Sequence, residues 1–244
     1  MKNKPTITRF GDHGILIRYP QKINRKIHIR LTQYTHFLAK EFSEIIEGFT
    51  IAYHESAFYF NPDISVDETI EKFVAKFNEA DLLEEIKKNA TVFQIPVCYE
   101  SPFALDIEEI AKVKKKKVSK IIDLHTKPVY PVYFIGFSPG FPYLGGLNKR
   151  MSFPRKASPR NRVAAGSVGI AGTQTGIYPN DSPGGWNIIG RSPLDFFDVT
   201  KENPSLLKAG DYIRFEAVDY AQYKEIEKQV KSGTFSIQKS TYND

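Results

Sequence analysis

Residues 136–191 read GFSPGFPYLGGLNKRMSFPRKASPRNRVAAGSVGIAGTQTGIYPNDSPGGWNIIGR, and this stretch decides the fold of the half of the chain that carries it. Between Gly136 and Gly190 lie 11 of the 16 glycines of the chain, with six prolines among them. Glycine supplies positive φ and proline fixes it near −65°, so such a density demands many turns and leaves room only for short strands. Helical periodicity stops after the β-like run Tyr130–Ile135 and resumes only at Tyr220. A barrel-like β-domain follows from that pattern.

Outward from this stretch, the C-terminal half is bounded by two further signals. Gly210-Asp211 turns into the strand Tyr212–Ala217, and Tyr220–Val230 reads as a closing helix. Upstream, Val92–Val97 is a strand, Asp106 with Glu109 caps a short helix, and Ser119 caps another that carries Ile121, Ile122 and Leu124. The first ninety residues have a different character. Thr6–Phe10 and Ile15–Tyr19 are short strands joined by the turn Gly11-Asp12-His13-Gly14. Ile27, Leu31, Tyr34, Leu38, Phe42 and Ile45 recur at three- and four-residue steps, which predicts a long amphipathic helix ended by Gly48. Phe49–Tyr53 and Ala57–Phe60 form a second strand pair, and Ser65-Val66-Asp67-Glu68 opens a helix with Ile70, Phe73, Val74 and Phe77 inward. The reading is α+β throughout: a small α+β domain over residues 1–90 and the barrel domain over 91–244.

Composition narrows the function classes. The 244 residues include 41% hydrophobic and 13% aromatic side chains, enough for real cores. Met1-Lys2-Asn3-Lys4-Pro5 lacks the apolar run of a secretory signal, and no apolar run approaches the roughly 20 residues of a membrane span. The single cysteine, Cys98, excludes an internal disulfide and fits a reducing compartment, so a cytoplasmic protein is expected. The net charge of +6 is concentrated locally in Lys112, Lys114 to Lys117 and Lys120, which read as a solvated helix end. Without zinc-ligand spacing or RNP-like aromatics, nothing further points to nucleic acid.

Gly136-Phe137-Ser138-Pro139-Gly140 has the form of the G-x-S-x-G nucleophile elbow. Pro139 lacks the N–H that an oxyanion hole needs, and His13, His28, His36, His54 and His125 all precede the serine. A tight turn leaving a strand is the better reading. No metal site is expected from five unspaced histidines and one cysteine, and there is no P-loop. What remains is charge asymmetry. Between Gly136 and Leu194 stand Lys149, Arg150, Arg155, Lys156, Arg160, Arg162 and Arg191, against Asp181 alone. These arginines bind a carboxylate or phosphate, pair with acids elsewhere in the chain, or simply keep the surface soluble. Phe141, Tyr143, Phe153, Tyr178 and Trp186 lie among them, and Ser182-Pro183-Gly184-Gly185-Trp186 admits a close backbone approach by a ligand or partner. His125 is either a helix-end cap or a site residue.

In order, Gly136–Gly146, Pro154-Arg155, Pro159-Arg160, Ala165–Val168, Gln174–Pro179 and Ser182–Trp186 resemble the KipI-like family. That family is also called allophanate hydrolase subunit 1, and it supplies one of the subunits of bacterial 5-oxoprolinase. Gly11-Asp12, Ile95–Tyr99, His125 and Gly210-Asp211 extend the resemblance over nearly the whole chain. Tyr99-Glu100-Ser101-Pro102, His13-Gly14 and the Lys112–Lys120 cluster depart from the usual pattern. The resemblance implies a cyclophilin-like barrel in the C-terminal domain, a KipA-like partner, and a LamB-like third subunit. Together they form an ATP-dependent 5-oxoprolinase that opens 5-oxoproline to glutamate, this chain being inactive alone. It equally implies two alternatives: inhibition of a sensor histidine kinase, or a carboxyltransferase part such as that of urea carboxylase. For the enzyme, Arg155, Arg160, Gln174, Tyr178 and Trp186 would line a substrate surface and His125 would carry protons. Arg160→Ala is then expected to weaken turnover far more than folding.

Overall fold

The computed structural model describes residues 4–20, 25–79 and 90–242. Two compact units divide the chain, Met1–Lys88 and Asn89–Asp244.

In the first unit, strands β1 (Thr6–Arg9), β2 (Gly14–Arg18), β3 (Ile46–Ile51) and β4 (Glu55–Phe60) make an antiparallel sheet in the order β1-β2-β4-β3. The helices α1 (Arg25–Glu41) and α2 (Val66–Glu79) pack with it. Alternation sends Ile15, Ile17, Phe58 and Phe60 to one face, where they meet Leu31, Tyr34, Leu38 and Phe73. Two expectations are corrected here. The first helix ends at Glu41, and Gly48 sits inside β3 at a shift in register. The apolar period runs past the helix end because Phe42, Ile45 and Ile46 still pack against the same core from a turn, closed by the Ile45 and Ile46 N–H groups on Phe42 O. Val74 points outward, 42% exposed. The side chain of Phe77 lies outside the described residues.

The second unit is a closed barrel. Its strands are β5 (Ala90–Cys98), β6 (Tyr130–Ile135), β7 (Pro142–Leu144), β9 (Ser167–Ala171), β10 (Gln174–Ile177), β12 (Asn187–Arg191) and β13 (Tyr212–Val218). They run in the order β12-β9-β10-β7-β6-β13-β5, and Arg191 pairing with Cys98 closes the ring. β14 (Lys239–Tyr242) adds to the other end of β5, while β8 (Arg160–Val163) and β11 (Ser182–Gly184) form a separate ribbon. The expected barrel is therefore present, built from strands of three to nine residues. Three α-helices accompany it among the described residues, α3 (Ile107–Val113), α4 (Val118–Thr126) and α5 (Tyr220–Lys231), with a short 3-10 turn at Lys149–Met151.

The two-residue period of β9 and β10 sorts side chains onto two faces. Val168, Ile170 and Ile177 join the main core with Ile95, Val97, Val132, Ile213 and Phe215. Ala171 belongs instead to a second cluster, with Phe141, Val163, Tyr178, Trp186, Ile188 and Tyr143. A Cβ at Gly176 would stand 2.9 Å from the Phe141 ring, so only glycine lets that ring lie flat on the strand. The Gly136–Arg191 stretch thus supplies the barrel wall and an aromatic layer upon it.

Candidate functional site

The aromatic layer is built edge to face. Phe141 meets Tyr178 at 5.3 Å and Trp186 at 5.5 Å between ring centroids, at interplanar angles of 86° and 85°. Tyr143 joins at 5.0 Å from Phe141 and itself stacks on Phe134 at 4.4 Å. Edge-to-face contact sets the positive ring edge on a negative face and fixes each ring's orientation. Tyr178 and Trp186 are nearly buried, at 2% and 5% exposure. Burial pushes the Tyr178 hydroxyl up, against a hydrogen bond at the Trp186 backbone and the nearby charges of Arg155 and Arg160. That hydroxyl stays protonated at neutral pH.

Of the five residues expected to bind substrate, Arg155, Arg160, Tyr178 and Trp186 come together here. The Arg155 guanidinium lies 5.9 Å from the Trp186 ring and is exposed, with no carboxylate partner among the described residues. Arg160 is tied down. Its Nη2 donates to Asp106 Oδ1 at 2.6 Å, and its Nη1 is buried without a hydrogen bond. Gln174 begins β10, opposite Ala171 of the aromatic cluster. A side chain there alternates with Thr175, which faces the core.

His125 does not join them. It is fully buried, packed on Phe215 at 4.3 Å, and both ring nitrogens are engaged. Thr175 Oγ1 donates to Gly169 O and so accepts from His125 Nε2–H at 3.1 Å, leaving Nδ1 to accept from the Tyr99 hydroxyl at 2.7 Å. The tautomer follows from those roles. Burial drags its pKa down from 6.5 to about 3, so the ring is neutral. A side chain with no solvent-facing nitrogen has no route to a bound substrate. His125 is a barrel-core residue, and the helix-end alternative names its place, in the last turn of α4.

Sequence reading missed the role of Asp106. It stands at the N-cap of α3, yet its side chain makes no cap hydrogen bond. Its Oδ2 instead accepts from the Ile188 N–H at 2.6 Å, and Oδ1 accepts from Arg160 and from Lys156 at 3.0 Å. Burial alone pushes this carboxyl up, but those hydrogen bonds outweigh it and hold the carboxyl below the usual range. One buried carboxylate therefore joins the start of α3, β12, the loop residue Lys156 and Arg160 at the start of β8. Asp181, the one acid of the Gly136–Leu194 stretch, accepts from the Ala165 N–H and pairs with Arg162. The close approach anticipated at Gly184-Gly185 is made by the chain itself: a Cβ at Gly184 would collide with the Tyr178 hydroxyl oxygen.

The glycines of Gly166–Gly172 serve strand β9, whose residues are all buried, and open no helix. They do not form a phosphate cradle, so ATP finds no fit in this segment. Two surface depressions, of about 480 and 560 Å³, lie elsewhere, beside Arg214 and Lys239 and beside Lys120 and Arg150.

Residues 5–207 match the family model described as carboxyltransferase domain, subdomain C and D. The chain belongs to that family. The KipI-like resemblance read from the motifs holds with it. The chain is 38% identical over 231 residues to a Bacillus subtilis protein named as a subunit of 5-oxoprolinase, covering 90% of this chain and 96% of that one. A urea amidolyase from Lachancea kluyveri is 24% identical over 275 residues, covering 96% of this chain but 14% of its own length. Among solved structures, that of TTHA0988 superposes with a TM-score of 0.73 at 32% identity, over 84% of this chain. This chain spans only 40% of that longer polypeptide.

Proposed function

We propose that this chain is one subunit of a heteromeric, ATP-dependent 5-oxoprolinase. With a KipA-like and a LamB-like partner it converts 5-oxoproline to glutamate, and alone it is inactive. The observation that carries this reading is the near end-to-end match, 38% identical, to a protein named as a 5-oxoprolinase subunit. The substrate is a five-membered lactam bearing a carboxylate. Arg155, with no carboxylate partner among the described residues, offers its guanidinium to such a carboxylate beside the Trp186 face. Arg160, held from behind by Asp106, is a second cation of fixed orientation. Tyr178, itself nearly buried, meets Trp186 edge-on and holds its orientation, and a glutamine such as Gln174 carries both the oxygen and the nitrogen that pair with an amide. In hydrolysis the lactam C–N bond breaks, with water giving hydroxyl to the carbonyl carbon and a proton to the nitrogen. ATP acts in the assembled complex and is not necessarily bound by this chain, whose β9 segment offers it no cradle.

Arg155→Ala is the cleaner probe of the site. Arg160 also holds a buried carboxylate, so its removal disturbs folding and turnover together, contrary to the expectation from sequence. The deciding experiment mixes the three purified chains with 5-oxoproline and ATP and follows glutamate. Release that requires all three and falls in Arg155→Ala supports the reading; no ATP-dependent glutamate from the complete mixture rejects it. A second reading, carboxyl transfer to an amide, is favoured by the carboxyltransferase family model and the urea amidolyase relative. Carboxylation of urea by the same mixture supplied with a biotin carrier would select it.

A further inference from the structure

The lysine run read from sequence as a solvated helix end has a definite place. α3 stops at Val113, α4 starts at Val118, and Lys114 to Lys117 link them. The Lys116 N–H donates to Ala111 O at 2.9 Å and the Lys115 N–H to Lys112 O at 3.1 Å, which closes α3 and sets Lys115 at φ +51°. Glycine takes that conformation without strain, so the turn itself does not call for a lysine. Lys120 carries the charge onto α4, and Lys127 caps the far end of that helix.

Beside α4 lies the depression of about 560 Å³, a volume within the range of small-ligand sites. Lys120, Asp123, Leu124 and Lys127 line it from α4 and its cap, and Asn148 and Arg150 from the Lys149–Met151 turn. Both walls are anchored, because Leu124 and Met151 are buried in the main core. Asn148 Oδ1 accepts from the Arg150 N–H at 3.0 Å, which fixes the amide and leaves its Nδ2 as a donor. The charges here do not cancel as they do around Asp106. Among the described residues Lys127 and Arg150 have no carboxylate partner, nor have Lys112 and Lys114 to Lys117. Lys120 meets only Asp123, at 3.6 Å, with both side chains more than half exposed. Against three cations in the lining stand Asp123 and the carbonyl end of α4, so a positive excess remains, and the neighbouring lysines add to its field. A single carboxylate satisfies one such cation, whereas the oxygens of linked phosphates reach several at once. No aromatic side chain lines the depression, so nothing there reads a base.

We propose that this depression binds a small oligophosphate anion through its phosphate chain, whether that chain is free or carried by a nucleotide. It does not depend on the 5-oxoprolinase reading. Titration calorimetry of the full chain with tripolyphosphate, ATP and orthophosphate tests it, at about 50 mM salt without magnesium. Tripolyphosphate and ATP should bind within about fivefold of each other, and each at least about tenfold more tightly than orthophosphate. Replacing Lys127 and Arg150 together by alanine should weaken tripolyphosphate binding at least about tenfold. Both side chains are exposed, so the Tm of that variant should match the parent's. Asp123→Asn removes the one acid of the lining and should tighten binding about threefold. Lys239→Ala, beside the other depression, should bind within about twofold of the parent.

Absence of tripolyphosphate binding to the parent overturns the proposal. Equal weakening by the double variant and by Lys239→Ala overturns it too, because the anion then follows the net charge of the chain and not this depression. ATP bound more than about tenfold more tightly than tripolyphosphate overturns it as well, since the base and not the phosphate chain is then what is recognised. Should the double variant melt lower than the parent, Asp123→Asn decides alone: tighter binding supports the site, and unchanged or weaker binding rejects it.

Discussion

The Asp106 carboxylate is almost wholly buried and still ionised, because three donors converge on its two oxygens. Removing it leaves Arg160 without its carboxylate, Lys156 with only the exposed Glu109 at 3.7 Å, and the Ile188 N–H without an acceptor. Breaking a buried pair from one side is the expensive case, so Asp106→Ala should cost about 3–5 kcal/mol in urea unfolding. Arg160→Ala leaves Asp106 with two of its donors, and about 1–3 kcal/mol is expected. Among the described residues Arg155 has its contact over Trp186 to lose, so Arg155→Ala should stay within about 1 kcal/mol of the parent. The order Asp106, Arg160, Arg155 is the test. An Asp106→Ala chain as stable as Arg155→Ala would show that the buried carboxylate holds nothing together.

At the scale of elements, β11 runs against the Tyr178 ring, and Gly184 is what permits it. A Cβ there would collide with the hydroxyl and stand 2.8 Å from two ring carbons, and a ring only 2% exposed has nowhere to withdraw. Gly184→Ala should cost about 1–3 kcal/mol and shift the fluorescence of Trp186, which Tyr178 meets edge-on at 6.5 Å. An unchanged melt and an unchanged spectrum would mean that β11 moves freely. The glycine was legible in the sequence as a close approach, but its partner was not, since Tyr178 is close only once β11 folds beside it. The β1–β2 hairpin was legible because Gly11-Asp12-His13-Gly14 is local turn chemistry. The end of α1 was not, because Phe42, Ile45 and Ile46 keep facing one core after the backbone has left the helix. β14 went unread because its short sequence, Lys239–Tyr242, is mostly polar, and its place is set by pairing with β5. Arg155, Tyr178 and Trp186 stand in one stretch whose composition announced them. Asp106 lies 54 residues before Arg160, and a local reading spends it on a helix cap it does not make.

At the scale of the whole barrel, His125 joins elements that no local pattern links. Its ring binds Tyr99 just after β5 and Thr175 on β10, stacks on Phe215 of β13, and its carbonyl accepts from the Tyr130 hydroxyl of β6. Charging that ring requires opening the barrel. Its pKa falls from 6.5 to about 3 on folding, so as pH drops the unfolded chain takes up the proton first. The stability is present in full above about pH 6.5 and is lost progressively down to about pH 3, at up to about 1.4 kcal/mol per pH unit. Asp106, also lowered, acts in the same direction only below 3.8, where an unfolded aspartate begins to be mostly protonated. Asp211, raised by burial, acts oppositely, because the folded chain protonates it first. Asp106 matters mainly at lower pH than the start of the His125 window, and comparing the parent with a His125 variant at each pH cancels the Asp211 contribution. Between about pH 7.5 and 5 the chain should therefore lose about 2 kcal/mol in urea unfolding. His125→Gln should remove most of that slope. If that variant fails to fold, the imidazole resonances of His125 in the parent decide the matter, since they should not titrate above about pH 5. Equal stability at both pH values, or a His125 resonance moving near pH 6.5, would place the ring in contact with water and return it to the candidates for proton transfer.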